Sequence, residues 1–333
     1  MNFLRNCNAS GNTKELKKIC GDAAVNENFL TILTPTYNRG ALLPRLYKSL
    51  CLQTNLGFQW LIVDDGSTDN TADVVNGFQQ ESRICIDYHK KQNGGKHTAL
   101  NYAHKYIKGT YIVIVDSDDM LVPEAVDVIL AAWHRYHDVA AIVFQRGDMA
   151  TQKALDAMFK GEYVSTIKKE LNRGMRGDHC ETFLADLFKR YEFPLYKGER
   201  FLAEGALWIA LTDDKPVVFS DKMLYLCDYQ ADGLSSKVRM LSINNPRGSM
   251  WHAKAYLSTD FSCRLRVKNA MLFVCYGIFA GMNRREIILA DGKHQMLIRL
   301  CYLPGKALYA YWSWKYGFER QKKQHIDTNA DRS

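Results

Sequence analysis

The longest apolar run in this 333-residue chain, Ala270 to Met282, is 13 residues, short of the ~20 that a bilayer-spanning helix needs. No segment is expected to cross a membrane. Nine cysteines occur without a repeated CxxC pair or a regular framework, which argues against a disulfide scaffold and a structural zinc site and fits reduced thiols in the cytoplasm. Met1 to Asn28 is polar and of mixed charge, lacks the apolar stretch of a secretory signal, and is expected to be an appended arm. No internal repeat is visible. No nucleic-acid-binding motif accompanies the positive charge, so nucleic acid is not an expected partner.

The first 250 residues carry no net charge: residues 251 to 333 hold 14 Lys/Arg against 6 Asp/Glu, a surplus of eight that equals the +8 of the whole chain. Within this stretch Arg264, Arg266 and Lys268 precede the long apolar run, Arg284 and Arg285 follow it, and Trp312 and Trp314 lie beyond. That order suits an anionic membrane surface, with the protein peripheral on the cytosolic face. A core helix with solvated ends accounts for it equally.

With 47% hydrophobic residues the chain can bury a substantial core. From Phe29 to about Gln145, short apolar strand-like runs alternate with helical patterns, the signature of a parallel sheet with helices on its faces. The strand candidates are Phe29–Thr34, Gln59–Val63, Ile84–His89, Tyr111–Val115 and Val139–Phe144. Leu42, Leu46 and Leu50 share a helical face, and Thr71–Gln80, Gly95–Ile107 and Pro123–Tyr136 also read as helices. The expected organisation is an arm over 1–28, an α/β domain over 29–243 with halves 29–122 and 123–243, and a helical, basic extension over 244–333.

Four chemically distinctive segments occupy the ends of these strands or the starts of helices, and the C-terminal edge of a parallel sheet is where ligands bind. The first, Thr34 to Arg39 (TPTYNR), has Pro35 stiffening the strand exit and Tyr37 able to face a base. The second is Val63 to Asp69 (VDDGSTD); capping of the next helix explains Ser67, Thr68 or Asp69 but not Asp64 and Asp65 together. A carboxylate there can accept a hydrogen bond from a uracil N3–H. In the third, Asn93 to Asn101 (NGGKHTALN), two glycines open a helix whose start can attract phosphate, and Lys96 adds positive charge. The fourth, Val115 to Asp119 (VDSDD), crowds three carboxylates after an apolar strand. Helix capping needs only one of them, and a hard divalent ion is the natural counter-charge for the rest.

In this order and spacing the four segments resemble the family 2 glycosyltransferases of the GT-A fold, of the bacterial envelope-polysaccharide type. The resemblance is strongest over Leu30 to Pro123 and extends more loosely to about Ser236. It implies a Rossmann-like, mostly parallel sheet flanked by helices, and a nucleotide-sugar site. Pro35, Thr36 and Tyr37 would line the nucleoside pocket with Arg39 beside them, Asp65 would hold the base, and Asp64 would support its turn. Lys96 would sit near the base or diphosphate. Asp116 and Ser117 would belong to the nucleotide-sugar site, Asp116 also stabilising the acidic cluster, and Asp118 and Asp119 would share contact with ribose and with Mn2+ or Mg2+.

Such enzymes take the acceptor proton with a carboxylate, usually in a Glu-Asp pair. The best match here is Glu204 in Phe201 to Trp208 (FLAEGALW), where Gly205 stands in place of the Asp; Asp178 and Glu199 are reserves. The implied reaction is inverting transfer from a UDP-sugar to a glycan or lipid-linked acceptor, with the Asp232 to Ser235 segment near the site. A catalytically silent nucleotide-sugar-binding or scaffold protein is the alternative. A nucleotidyltransferase ranks lower, because Thr34 to Gly40 holds only Arg39 and one glycine where a triphosphate loop would need more.

Overall fold

The computed structural model describes residues 29–155, 158–213, 215–228 and 234–317. The expected N-terminal arm, the turn at Asp232 and Gly233, and the tail from Glu319 lie outside the described residues. Two compact units emerge. The first takes the described parts of Met1–Thr166, Arg176–Glu192 and Asp214–Tyr229; the second takes those of Ile167–Met175, Phe193–Asp213 and Gln230–Ser333.

The first unit is built on nine strands: β1 (Leu30–Thr36), β2 (Phe58–Asp64), β3 (Cys85–Lys90), β4 (Tyr111–Ile114), β5 (Met120–Leu121), β6 (Ala141–Asp148), β7 (Glu162–Ser165), β8 (Cys180–Leu184) and β9 (Val217–Cys227). They form one sheet in the order β3-β2-β1-β4-β8-β6-β9-β5, with β7 paired to β9. Pairing is parallel from β3 through β4; β8 then enters antiparallel between β4 and β6, and β6 and β9 run parallel again. Six of the nine strands therefore share one direction, the mixed α/β sheet expected from the alternating pattern. The helices of this unit are α1 (Leu43–Cys51), α2 (Thr71–Glu81), α3 (Lys96–Ala103), α4 (Ala125–Arg135) and, after α5 of the second unit, α6 (Ala185–Lys189).

Every residue of β1 and β2 is buried, as parallel strands covered on both faces must be. Their polar members are paired internally: Thr31 Oγ1 donates to Gln59 Oε1 at 2.8 Å, and Trp60 Nε1 donates to Thr34 Oγ1 at 2.9 Å. On one face Leu43, Leu46 and Leu50 of α1 reach the sheet, and Tyr47 stacks on Phe78 of α2 with centroids 4.1 Å apart. Helix α3 stops at Ala103, short of the expected Ile107. The chain turns there so that the Tyr106 carbonyl accepts from Gln59 Nε2 and its ring stacks on His89.

The second unit is helical: α5 (Ile167–Arg173), α7 (Gly205–Thr212), α8 (Leu234–Asn244), α9 (Pro246–Lys254), α10 (Cys263–Phe279), α11 (Arg284–Leu289), α12 (Gln295–Leu300) and α13 (Tyr302–Tyr316). Its core gathers on α10, where Ala270, Phe273, Val274, Cys275, Tyr276 and Phe279 are buried. The long apolar run is thus the core helix of the two readings left open by the sequence. Trp312 joins it, 7% exposed, under the Arg239 guanidinium at 4.2 Å. The pairing of Trp312 with Trp314 as surface residues is corrected accordingly. No helix among the described residues is long and apolar enough to cross a membrane.

Candidate functional site

The parallel register places the ends of β1 and β2 level, with Thr36 opposite Asp64, and β4 beside them with Ile114 opposite Leu33. The loops leaving these ends are cross-braced. Asn38, held at φ 53, donates its N–H to Ser67 Oγ and accepts from the Thr68 N–H, while the Gly40 N–H donates to Asp69 Oδ2. Tyr37, at the crest of this brace, is exposed. Thr36 Oγ1 is buried and has no hydrogen-bond partner, so a hydroxyl stands uncompensated where the nucleoside is expected.

Asp64 supports the turn as expected: Oδ1 accepts from the Ser67 N–H at 2.7 Å and Oδ2 from the Tyr88 hydroxyl at 2.5 Å. Asp65 differs from a carboxylate open to a ligand. Oδ1 accepts from Lys91 Nζ at 2.6 Å, and the two oxygens share the N–H groups of Gly94 and Gly95 and the Asn93 amide. The two glycine donors that the sequence offered to phosphate at the start of α3 are therefore bound to the protein's own anion. Gly66, at φ 84, makes this close approach feasible, because a Cβ there would lie 2.8 Å from the Asn93 nitrogen.

Lys96, the first residue of α3, connects this loop to the acidic segment: its Nζ lies 2.6 Å from Asp116 Oδ1. Burial raises the Asp116 pKa, but the Lys96 ammonium, Arg146 and Arg39 outweigh it and hold the carboxyl below the ordinary range. Asp119 goes the other way. Burial, with the Asp116 and Asp118 charges adding to it against the opposing Tyr225 bond and Arg146, pushes Asp119 up to about 7. Ser117 is buried in the same turn, which the Asp119 N–H closes onto the Asp116 carbonyl. Arg45 of α1 donates to the Asp118 carbonyl and, at 3.0 Å, to Asp228 Oδ2.

Two residues with no local signature complete the cluster. Tyr225 on β9 accepts the Asp116 N–H at 2.9 Å and donates to Asp119 Oδ2 at 2.6 Å. Arg146 on β6 lies 4.0 Å over the Tyr225 ring and donates Nε to the His179 carbonyl. Both are separated from the acidic segment by tens of residues and reach it only through the sheet order. Among the described residues no group of three or more His, Cys, Asp or Glu side chains is arranged to hold a metal. Asp116 is engaged by Lys96 and Asp119 by Tyr225, whereas Asp118 is half-buried and its charge acts on Asp119. One such carboxylate, completed by phosphate oxygens and water, fits a hard divalent ion.

In the second unit Glu204 is the residue before α7, and its carbonyl accepts the Leu207 N–H. A Cβ on the adjacent Gly205 would meet His252 Nε2 at 3.3 Å, so His252 fills the space that the missing Asp side chain would use. Burial, with the Lys268 charge adding, pushes the His252 imidazole down to about 4, so it is uncharged at neutral pH. The reserve candidate Glu199 is a helix cap: its two oxygens accept the N–H groups of Arg247 and Gly248, each at 2.8 Å, at the start of α9. Asp178 stays in the first unit, in the segment before β8.

Braced acidic and basic loops at the C-terminal ends of β1, β2 and β4 lie on the edge where open α/β sheets bind ligands. The model of the family described as "Glycosyl transferase family 2" matches residues 31–191. The "Uncharacterized glycosyltransferase MG060 homolog" of Mycoplasma pneumoniae is 31% identical over 268 residues, 78% of this chain and 80% of that one. The chain belongs to glycosyl transferase family 2. Other curated relatives are covered less fully: the first three matches span 21% to 38% of those proteins' lengths.

Among solved structures, S. aureus TarS 1–349 in complex with UDP-GlcNAc is similar at a TM-score of 0.59 and 18% identity, over 81% of this chain and 78% of that one. The mannosyltransferase PcManGT from Pyrobaculum calidifontis, in complex with GDP-Man and Mn2+, is similar at a TM-score of 0.53 and 16% identity, over 90% and 93% of the two chains. At these identities the likeness establishes a shared GT-A fold.

Proposed function

We propose that this glycosyltransferase moves a sugar, with inversion, from a UDP-sugar to a glycan or lipid-linked acceptor of the cell envelope. The observation that carries the reading is the ion pair of Lys96 with Asp116 at the mouth formed by the ends of β1, β2 and β4. It joins the glycine loop at the start of α3 to the acidic loop. The unpartnered Thr36 hydroxyl and the exposed Tyr37 ring supply the nucleoside subsite, with Pro35 and Arg39 on either side. Asp65 shapes that subsite by fixing Lys91, Asn93 and the glycines, and a base N–H is read at its edge. The UDP-GlcNAc and GDP-Man complexes of the two structural relatives support a nucleotide-sugar donor.

Asp118, with Asp119 behind it, would hold Mn2+ or Mg2+ together with the donor phosphates; such an ion neutralises charge on the leaving diphosphate. Lys96 places a second positive charge on the same oxygens. Tyr225 keeps the acidic turn from relaxing, and Ser117 packs beneath it. The acceptor hydroxyl loses its proton to Glu204 while the sugar's anomeric carbon is attacked from the face opposite the diphosphate, which inverts configuration. An anionic membrane surface belongs to the same reading as the place where a lipid-linked acceptor is met, and the protein is peripheral on its cytosolic face.

A thermal-shift screen of UDP-, GDP- and dTDP-sugars, with and without Mn2+, tests the assignment. Stabilisation by one UDP-sugar that grows with Mn2+, followed by release of UDP when acceptor is added, is the expected result. No stabilisation by any nucleotide sugar removes the donor site. Stabilisation without turnover or donor hydrolysis would favour the silent binding protein.

A further inference from the structure

Helices α12 and α13 have two apolar faces. The inner one, Ile298, Cys301, Gly305 and Trp312, is buried in the helical core. The outer one is not: Met296, Leu300, Leu303 and Trp314 are 77%, 70%, 75% and 79% exposed, and Tyr311 is 50% exposed. Within α12 the four-residue step from Met296 to Leu300, and within α13 the steps of eight and three from Leu303 to Tyr311 and Trp314, keep these side chains on one side of each helix, about half a turn from its buried residues. Single exposed leucines are ordinary on any protein. A ridge of five large apolar side chains is a docking surface.

The charge around the ridge selects its occupant. From Gly292 to Phe318 the chain contains no Asp or Glu and four Lys/Arg. At 3.6 residues per turn Arg299 and Lys306 flank one side of the stripe and Lys315 the other, and Lys315 Nζ lies 5.8 Å from the Tyr311 ring centroid. A groove of about 580 Å³ is lined by Leu308 and Trp312 of α13 and by the exposed Arg264 and Lys268 of α10. Two copies of the chain meeting through this face about a two-fold axis would oppose like charges, which disfavours a dimer. An apolar stripe carrying Trp and Tyr between rows of cations matches the boundary between acyl chains and anionic headgroups.

We infer that the outer face of α12 and α13 lies in an anionic lipid surface, with Met296, Leu300, Leu303 and Trp314 entering the acyl boundary and Arg299, Lys306 and Lys315 meeting headgroup phosphates. This deepens the membrane partner of the proposed reading. Of the stretch the sequence nominated, the helix carrying the apolar run from Ala270 is core, whereas Trp314 lies on this outer face. Vesicle binding is measured on the full chain without donor, so it succeeds or fails independently of sugar transfer.

The test is co-sedimentation with vesicles of phosphatidylcholine alone and of phosphatidylcholine with phosphatidylglycerol. The wild type is expected to bind the mixed vesicles far better than the neutral ones and to lose binding in high salt. The pair Leu300→Ser and Leu303→Ser weakens partitioning on the order of tenfold or more while leaving the melting temperature unchanged, because both side chains are already in water. Lys306→Glu with Lys315→Glu removes the preference for phosphatidylglycerol. A wild type that stays in the supernatant overturns the inference. So does binding unaltered by both pairs of substitutions, or light scattering that shows a dimer dispersed by Leu300→Ser and Leu303→Ser with no vesicle binding.

Discussion

The Tyr225 hydroxyl donates to Asp119 Oδ2 at 2.6 Å while accepting the Asp116 N–H, so one phenol on β9 ties both ends of the acidic turn. Tyr225→Phe keeps the ring under Arg146 and removes only the oxygen. A buried carboxylate and a backbone donor then lose their partner, which costs ~1–3 kcal/mol. The expected outcome is a lower melting temperature and about tenfold weaker calorimetric binding of UDP, since the turn is no longer held in its binding conformation. Unchanged values for both quantities would mean that the turn is fixed elsewhere.

Lys96 and Asp116 are 39% and 31% exposed in their side chains, so solvent screens the pair and its contribution to stability is about 0–1 kcal/mol. In the proposed reaction its role is toward the donor. Lys96→Met is expected to leave the melting curve nearly unchanged and to weaken UDP-sugar binding, with the loss shrinking as salt rises. Lys96→Arg retains much of the affinity. Equal affinity for wild type and Lys96→Met at low salt would place the diphosphate away from α3.

The strands and helices of residues 29 to 145 were legible because buried parallel strands are nearly uninterrupted apolar runs and their helices keep a clean period. Three strands were not: β5, within that stretch, and β7, beyond it, are two and four residues long, and β8 enters antiparallel at a place that only the completed sheet defines. The acidic residues announced themselves by mutual repulsion, whereas Tyr225 and Arg146 look like ordinary strand residues until β9 and β6 are set beside the turn. Asp65 was visible as a buried acid, but its partners Lys91, Asn93, Gly94 and Gly95 follow from the fold of a separate loop. Trp312 and Trp314 illustrate the rule most directly. Two residues apart on a helix means opposite faces, so one enters the core and the other remains in water.

Burial, against the opposing Arg146 charge and with Asp178 adding, pushes the Glu181 carboxyl on β8 up to about 8, while in the unfolded chain it titrates near ~4.3. Between those values the folded state holds the additional proton. This group's stabilising contribution is complete below the unfolded value and is lost as pH rises through about 8. Glu181→Gln, which imitates the protonated form, should therefore gain on the wild type in melting temperature across that window and gain no more above it. A difference that does not change with pH would show that Glu181 titrates normally.

Glu204 faces a sharper test because its neighbour departs from the family pattern. Gly205 is backed by His252 at a distance that leaves little room for a side chain, Glu199 is occupied as the cap of α9, and Glu204 carries the proposed role of acceptor base. Glu204→Gln is expected to bind UDP-sugar as the wild type does and to lose turnover by ~10²- to 10⁴-fold. Glu199→Gln should instead lower stability, because a helix cap is removed, while turnover per folded molecule persists. Gly205→Asp in the Glu204→Gln background separates the two positions of the motif. Continued inactivity assigns the proton to residue 204 alone, and restored transfer would show that a carboxylate at position 205 can serve in its place.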